Sequence, residues 1–258
     1  MIYIYIIFIS GEGKEDIKRL LETDNKKYYI SFSEWVDNNF QDKFEKEKIM
    51  IAYAHVDNPY FEIVDNTTGL EIFWNKQSDF YKMFQELDLN NVVELACDKG
   101  RHLPNYINDA AHITLVDILN SNLLVCRERF GEYKKISYYC NSGSDLIELE
   151  SNKYSALFTY DFMVHFEMLD VYNYLKEAYR ILKKGSMALF HHSNLHKDYK
   201  TSFTSNVHCR NFMSSNLFAH MAWKCGFEVV SQKIISWGSG EKPKIPELDC
   251  ITLLRKGL

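Results

Sequence analysis

One stretch constrains the fold of this chain more than any other: Val92–Val93–Glu94–Leu95–Ala96–Cys97–Asp98–Lys99–Gly100–Arg101–His102. A short apolar run ends in an acid, breaks into small and turn-forming residues, then enters a helix-like segment. That order reads as a nucleotide-binding strand–loop–helix turn. About twenty residues on, a second apolar run, Ile113–Thr114–Leu115–Val116, ends in Asp117. An acid at the tip of a second parallel strand is placed to hydrogen-bond both hydroxyls of an adenosine ribose. Together the two features point to an adenosine-containing ligand.

The segments from Asn58 onward follow a regular order. Periodicity predicts a helix over Gln77–Leu87, with apolar Phe80, Met83, Phe84 and Leu87 on one side. It then predicts strand Val92–Ala96, helix Arg101–Asn108, strand Ile113–Asp117, helix Ser121–Phe130 and strand Ile136–Cys140. A short helix around Asp145–Leu149, strand Ala156–Tyr160 and helix Val171–Leu182 follow, the last closed by Lys183–Lys184–Gly185. Strand Met187–His191, helix Ser214–Cys225 stopped by Gly226, and strands Phe227–Ile235 and Cys250–Leu254 complete the series. Alternating strands and helices imply an α/β fold with a doubly wound, mostly parallel, seven-stranded Rossmann-like sheet. The last two strands have no helix between them, so the sheet should end with an antiparallel pair.

Residues 1–58 read as a small N-terminal α/β extension or cap, set against a main domain over 59–258. Strand Ile2–Ile9 and helix Lys14–Glu22 are expected first, then Tyr28–Phe32, an amphipathic stretch to Lys48, and a strand over Ile49–Ala54. This region shows no chemical motif; a lid and a dimerisation element both fit it, and a homodimer stays open. The apolar start Met1–Ser10 lacks a basic front and a cleavage site, and it is too short to cross a bilayer. A buried strand is the better reading, and no membrane partner is expected.

Composition narrows the function classes. The chain has 258 residues, 46% of them hydrophobic, enough for a sizeable core. A net charge of −5 with dispersed basic residues argues against a nucleic-acid partner. The six cysteines (Cys97, Cys126, Cys140, Cys209, Cys225 and Cys250) show no C-x-x-C pairing. They read as reduced thiols of a cytoplasmic protein, and neither zinc nor another metal is expected.

The acid-ended first strand, the acid at the second strand tip and the closing strand pair resemble a class I S-adenosylmethionine-dependent methyltransferase, over roughly residues 59–258. Asn58–Pro59–Tyr60, Tyr160–Asp161–Phe162–Met163–Val164–His165–Phe166, His191–His192–Ser193–Asn194 and Arg210–Asn211–Phe212–Met213–Ser214 further resemble bacterial small-molecule enzymes of that superfamily, some associated with sugars and surface polysaccharide. The resemblance implies S-adenosylmethionine as cofactor and S-adenosylhomocysteine as product. It departs at the glycine-rich loop, whose three glycine positions here are Ala96, Asp98 and Gly100. Aspartate tolerates left-handed backbone better than most residues, so the turn can form. Its carboxylate would then either bond the methionine amino group or weaken binding.

By that resemblance, Glu94, Ala96, Cys97, Asp98, Gly100, Asp117, Ile118, Asp145, Leu146 and Tyr160 would line the cofactor site. Glu94 would anchor the loop and the methionine moiety, and Asp117 the ribose. Asp145 would either bond the adenine amino group or cap a short helix, with Leu146 against the ring. Asp161 and His165 follow the fourth strand, where a doubly wound sheet binds ligand. His165 would take the proton of an attacking hydroxyl, or instead cap a helix start. His191 and His192 should point to opposite faces, so that only one meets the pocket. Asn194, His208, Arg210, Asn211 and Trp237 are candidates for the acceptor, Arg210 through its fork on a carboxylate or phosphate. Trp74 and Tyr81 would cover the cofactor or sit in the core. The expected activity is methyl transfer to oxygen of a small polar molecule: a sugar, a sugar nucleotide or a phosphate-like capsule precursor. N-methylation and a catalytically idle, ligand-binding member of the same fold are the alternatives.

Overall fold

The computed structural model describes residues 25–55, 74–206, 209–237 and 245–257. The expected strand Ile2–Ile9, the helix Lys14–Glu22, the Asn58–Pro59–Tyr60 motif and His208 lie outside the described residues. Two helices come first, α1 (Asn25–Asn39) and α2 (Lys43–Ala54). The strand expected over Ile49–Ala54 is therefore the second half of α2. Asp42 caps that helix by accepting the Glu45 N–H at 2.9 Å, and helix-forming Lys and Glu follow. Ile49 through Tyr53 are all buried, and a helix covered on most sides shows the same unbroken apolar run as a buried strand.

After α3 (Asp79–Phe84) the sheet begins. It comprises β1 (Val92–Leu95), β2 (Ile113–Asp117), β3 (Ile136–Cys140), β4 (Tyr154–Thr159), β5 (Leu182–Ser193), β6 (Phe227–Trp237) and β7 (Ile245–Lys256). Their spatial order is β3-β2-β1-β4-β5-β7-β6. The first five strands pair in parallel, and β7 runs antiparallel between β5 and β6. Helices α4 (Asn120–Phe130), α5 (Met168–Ile181) and α6 (Ser215–Lys224) make the crossovers. The doubly wound sheet with an antiparallel ending is thus the one expected from the sequence.

Alternate strand residues feed two cores. Val92, Phe158, Leu189 and Ile251 pack with α3, α4 and Tyr106 on one face. Val93, Leu157, Phe190 and Leu254 pack with α5 and α6 on the other. Three predicted helices change shape. Arg101–Asn108 shrinks to one 3₁₀ turn, Leu103–Asn105, with Pro104 inside it to deny the helix an N–H. Residues 145–149 form a turn instead of a helix: the Leu149 N–H donates to the Leu146 carbonyl at 2.9 Å, and Arg180 donates to the carbonyls of Leu146 and Leu149, each at 2.8 Å. Helix α5 starts at Met168, three residues earlier than expected, and Lys183–Lys184–Gly185 belong to β5 rather than to a helix end.

The end of α6 is set by Gly226. Its φ is +101°, and a Cβ there would stand 2.8 Å from the Tyr179 ring. Gly226→Ala should therefore destabilise the fold by about 1–3 kcal/mol, from left-handed strain plus the clash. A urea melt checks this; an unchanged midpoint would remove Gly226 as the hinge between α6 and β6.

Candidate active site

The strand tips converge on a cleft. The loop after β1 turns through three left-handed residues, Ala96 (φ 57°), Asp98 (φ 49°) and Gly100 (φ 76°). These are the three positions where the resemblance places glycines. Only Gly100 needs its missing side chain for space: a Cβ there would meet Phe130 at 2.9 Å and Cys126 at 3.2 Å. Asp98 holds the turn differently. Its N–H donates to Asp117 Oδ2 at 2.9 Å and its carbonyl accepts the Cys126 thiol. Its side chain is fully buried and does not line the cleft.

Asp117 closes the loop from the other side. Its Oδ1 accepts the Leu119 N–H at 2.8 Å and Asn122 Nδ2 at 3.2 Å. Burial, then the neighbouring Asp98 charge, push its pKa up to about 7. Glu94, at the carboxyl end of β1, accepts the Tyr106 hydroxyl at 2.5 Å through Oε2, while its buried Oε1 has no hydrogen-bond partner. Desolvation pushes Glu94 up to about 8 against the pull of Tyr106 and Arg101.

The cleft is lined by Ala96, Asp117, Ile118, Asn141, Phe162 and Tyr174 from the sheet domain, and walled by Lys48, Ile51, Ala52 and His55 of α2. An acid flanked by apolar plates suits the ribose and base of an adenosine, so the residues fit the cofactor that the resemblance implies.

Beyond the cleft lies a fully buried charge network. Arg101 pairs with Asp161 Oδ2 at 3.1 Å, and its guanidinium lies 5.3 Å from the Phe162 ring centroid. Asp161 is left-handed (φ 61°), and its N–H donates to His191 Nδ1 at 3.0 Å. His191 Nε2 faces Asp249 Oδ2 at 3.4 Å, and Tyr160 stacks on its ring. Arg210 grips the same Asp249 with Nε at 3.1 Å and Nη2 at 2.8 Å. The fork expected to meet an acceptor anion is directed to Asp249 in this structure. His191 and Arg210 together hold Asp249 well below the usual carboxylate range, against the burial that would raise it.

The two adjacent histidines do part to opposite faces. His192 stacks on Phe218 of α6 at 3.8 Å and meets Thr252 Oγ1 at 2.9 Å, away from the network. His165 sits in the 3₁₀ turn Met163–His165, its Nδ1–H given to the Cys209 carbonyl at 2.5 Å. Asn211 Nδ2 donates to the His165 carbonyl at 2.6 Å and so fastens that turn.

Other candidates lie elsewhere. Asp145 accepts from Ser142 and from the Tyr139 hydroxyl, outside the cleft lining, and Leu146 and Cys97 are core residues. Asn194 ties β5 to α6 and β7 by accepting the Ser215 N–H and donating to the Glu247 carbonyl. Trp74 donates to His102 Nδ1 at 3.1 Å and packs on Phe80 and Phe84, in the core. Trp237 pairs through its backbone with Ile245, and its side chain lies outside the described residues. Sequence reasoning missed Asn141, Phe162, Tyr174 and α2 among the cleft walls. Asn141 and Phe162 each follow a residue that was read, so position after a strand end could have found them. His55 carried no motif at all.

Burial of Glu94 yields a pH signature. A folded-state pKa near 8 against an ordinary value near 4.3 means that the folded protein holds a proton the unfolded chain has lost. Stability from this group therefore falls as pH rises through that interval. Burial lowers His55, His102, His165 and His192, so these four do not titrate in the fold across that range. Glu94→Gln should reduce the loss of stability between pH ~7 and ~8.5 seen in urea melts of the unsubstituted protein, with the raised Asp117 and Glu167 carrying the remainder. Identical slopes would show Glu94 ionised in the fold.

Comparison with known proteins agrees with this geometry. Residues 92–185 match the family of methyltransferase domains. No curated protein sequence matches the chain. Among solved structures, an S-adenosylmethionine-dependent methyltransferase from Clostridium acetobutylicum superposes with a TM-score of 0.58 at 16% identity, covering 78% of this chain and 99% of that one. A Haemonchus contortus phosphoethanolamine N-methyltransferase, bound to phosphomonomethylethanolamine and S-adenosylhomocysteine, gives 0.62 at 14% identity, covering 84% of this chain and 61% of that one. The cyclase SpnF gives 0.55 at 11%, covering 69% and 80%. At these identities the likeness is one of fold. Residues 92–185 thus match a methyltransferase domain, and the chain has the fold of these solved S-adenosylmethionine-dependent methyltransferases.

Proposed function

We propose that this protein moves a methyl group from S-adenosylmethionine to an oxygen of a small polar acceptor, such as a sugar, a sugar nucleotide or a phosphate-bearing capsule precursor, with His165 as the base. One observation carries the reading: the Cys209 carbonyl holds the His165 Nδ1–H and so leaves the lone pair on Nε2. Burial first, then the neighbouring His55 imidazole and Arg210 guanidinium, keep the ring's pKa well below its ordinary value, so His165 is neutral at pH 7. Bound S-adenosylmethionine supplies a sulfonium methyl already activated toward a nucleophile. A hydroxyl oxygen becomes strongly acidic as it forms its new bond, so a weak neutral base beside it suffices to take the proton. Most of the remaining work is positioning. Asp117 would hold the ribose with the lone pairs left after its three N–H contacts, and Ile118, Phe162 and Tyr174 would flank the base. Glu94, protonated at neutral pH, would present a hydroxyl near the methionine end. Asp161, His191, Asp249 and Arg210 would stand behind the cleft and hold its far side in place.

N-methylation is the second reading, favoured by the fold likeness to the Haemonchus enzyme with its bound phosphomonomethylethanolamine. A third, in which the fold binds without methylating, draws on Asp98 in the loop after β1 and on the likeness to a cyclase.

Calorimetric titration with S-adenosylhomocysteine comes first, followed by methyl transfer from labelled S-adenosylmethionine to hydroxyl and amine panels. Product from a hydroxyl acceptor supports the reading; product from amines alone, or from neither despite binding, overturns it. His165→Asn should lower kcat by about 10²–10⁴-fold while leaving S-adenosylhomocysteine affinity within about threefold. Asp117→Ala should weaken that affinity by about tenfold or more. Equal affinity would remove Asp117 from the ribose.

A further inference from the structure

Past Ile118 the cleft leads to a second acid, one that the sequence did not single out. A Cβ at Gly143 would stand 2.6 Å from Ile118 Cδ1 and 3.7 Å from Lys48 Cδ, so bare backbone, an apolar side chain and a lysine stem meet at that point. Lys48 Nζ then lies 4.0 Å from Asp170 Oδ1. Asp170 is placed from α5 as well. It sits one turn before Tyr174, whose hydroxyl accepts from Asn141 Nδ2 at 2.8 Å. Ile118, Asn141, Gly143, Lys48, Asp170 and Tyr174 all line the cleft.

Asp170 is a carboxylate short of a donor. It is only 8% exposed, yet among the described residues no N–H or O–H hydrogen-bonds to it, and the Lys48 ammonium at 4.0 Å stands beyond hydrogen-bond reach. A buried acceptor in that condition carries a penalty that an incoming donor removes. Burial, opposed by Lys48, raises its pKa to about 6, so the group is ionised at pH 8. On an adenosine whose ribose lies at Asp117, the donor at the outer edge of the base is the exocyclic amino group; the ring nitrogens beside it are acceptors. Asp145, to which the resemblance gave that contact, is occupied by Ser142 and Tyr139 instead.

We propose that Asp170 is the specificity-determining residue for the cofactor's base, accepting the exocyclic amino group of adenine. The reader of the base thus stands on α5 rather than in the loop after β3. This deepens the reading above and rests on its placement of S-adenosylmethionine in the cleft.

The test is calorimetric titration of the full chain at about pH 8 with S-adenosylhomocysteine and with S-inosylhomocysteine, which carries a carbonyl oxygen in place of the amino group. The unsubstituted protein should bind the adenosyl ligand about tenfold or more tightly, because the inosyl oxygen would face the carboxylate with no proton between them. Asp170→Asn, whose amide can donate to that oxygen, should cut the preference by about tenfold or more, in part by tightening the inosyl ligand. Asp170→Ser should lower the preference too, and serves if the first variant does not fold. A loss of affinity shared equally by both ligands would show that Asp170 acts only as the counter-ion of Lys48 on the α2 wall, and would overturn the proposal. So would an unsubstituted protein that binds both ligands alike. In either case the binding of S-adenosylhomocysteine leaves the cofactor site standing. Binding of neither ligand would strike the cofactor site itself, and the role of Asp170 with it.

Discussion

The site depends on one carboxylate. Asp117 ends β2 and accepts the N–H of Asp98 from the loop after β1, the N–H of Leu119 from its own turn, and the side chain of Asn122 from α4. Three segments that the chain visits separately are thereby locked at one point. The lock explains how a loop lacking two of its glycines keeps its course. Asp98 takes the left-handed conformation that an aspartate tolerates, and the hydrogen bond made by its own N–H offsets part of the strain. The cost appears as charge crowding: two buried acids side by side, with Asp117 raised to about 7.

The second organising feature is the run of paired polar groups behind the cleft, Arg101–Asp161–His191–Asp249–Arg210. Its members come from the loop after β1, the loop after β4, β5, β7 and the segment before α6. Buried ions of this kind are strongly destabilising when a partner is removed, and a poor source of net stability when intact. Their arrangement fixes geometry instead. The β7 strand runs antiparallel beside β5 and brings Asp249 opposite Ser193, within reach of His191. The closing strand pair, read from the sequence as a mark of fold, therefore also places the central anion.

Much of the fold was legible because its signals are local. Apolar runs ending in Glu94 and Asp117, and the absence of a helix between the last strands, are properties of short windows. Failures came where tertiary partners overrode the window. Arg180 and Glu177 of α5 hold 145–149 as a turn, and burial on most sides disguised α2 as a strand. The site was legible at the strand tips and opaque elsewhere. Asp117, Ile118 and Ala96 reach the cleft as expected, yet Asp145 and Leu146 turn away from it, because Arg180 and Glu177 bind that turn to α5. His55 could not be read at all. A lone histidine gains meaning only from the cleft that the fold sets it in.

The α2 wall has a thermodynamic consequence. Its ties to the rest of the protein include Lys48, 4.0 Å from Asp170, and Glu47, which accepts the Thr204 N–H at 3.4 Å. Because α2 supplies one wall of the cleft, observed affinity is the intrinsic affinity multiplied by the fraction of molecules in which that wall stands in the binding position. A substitution in α2 that never touches ligand can therefore tighten or weaken binding simply by changing that fraction.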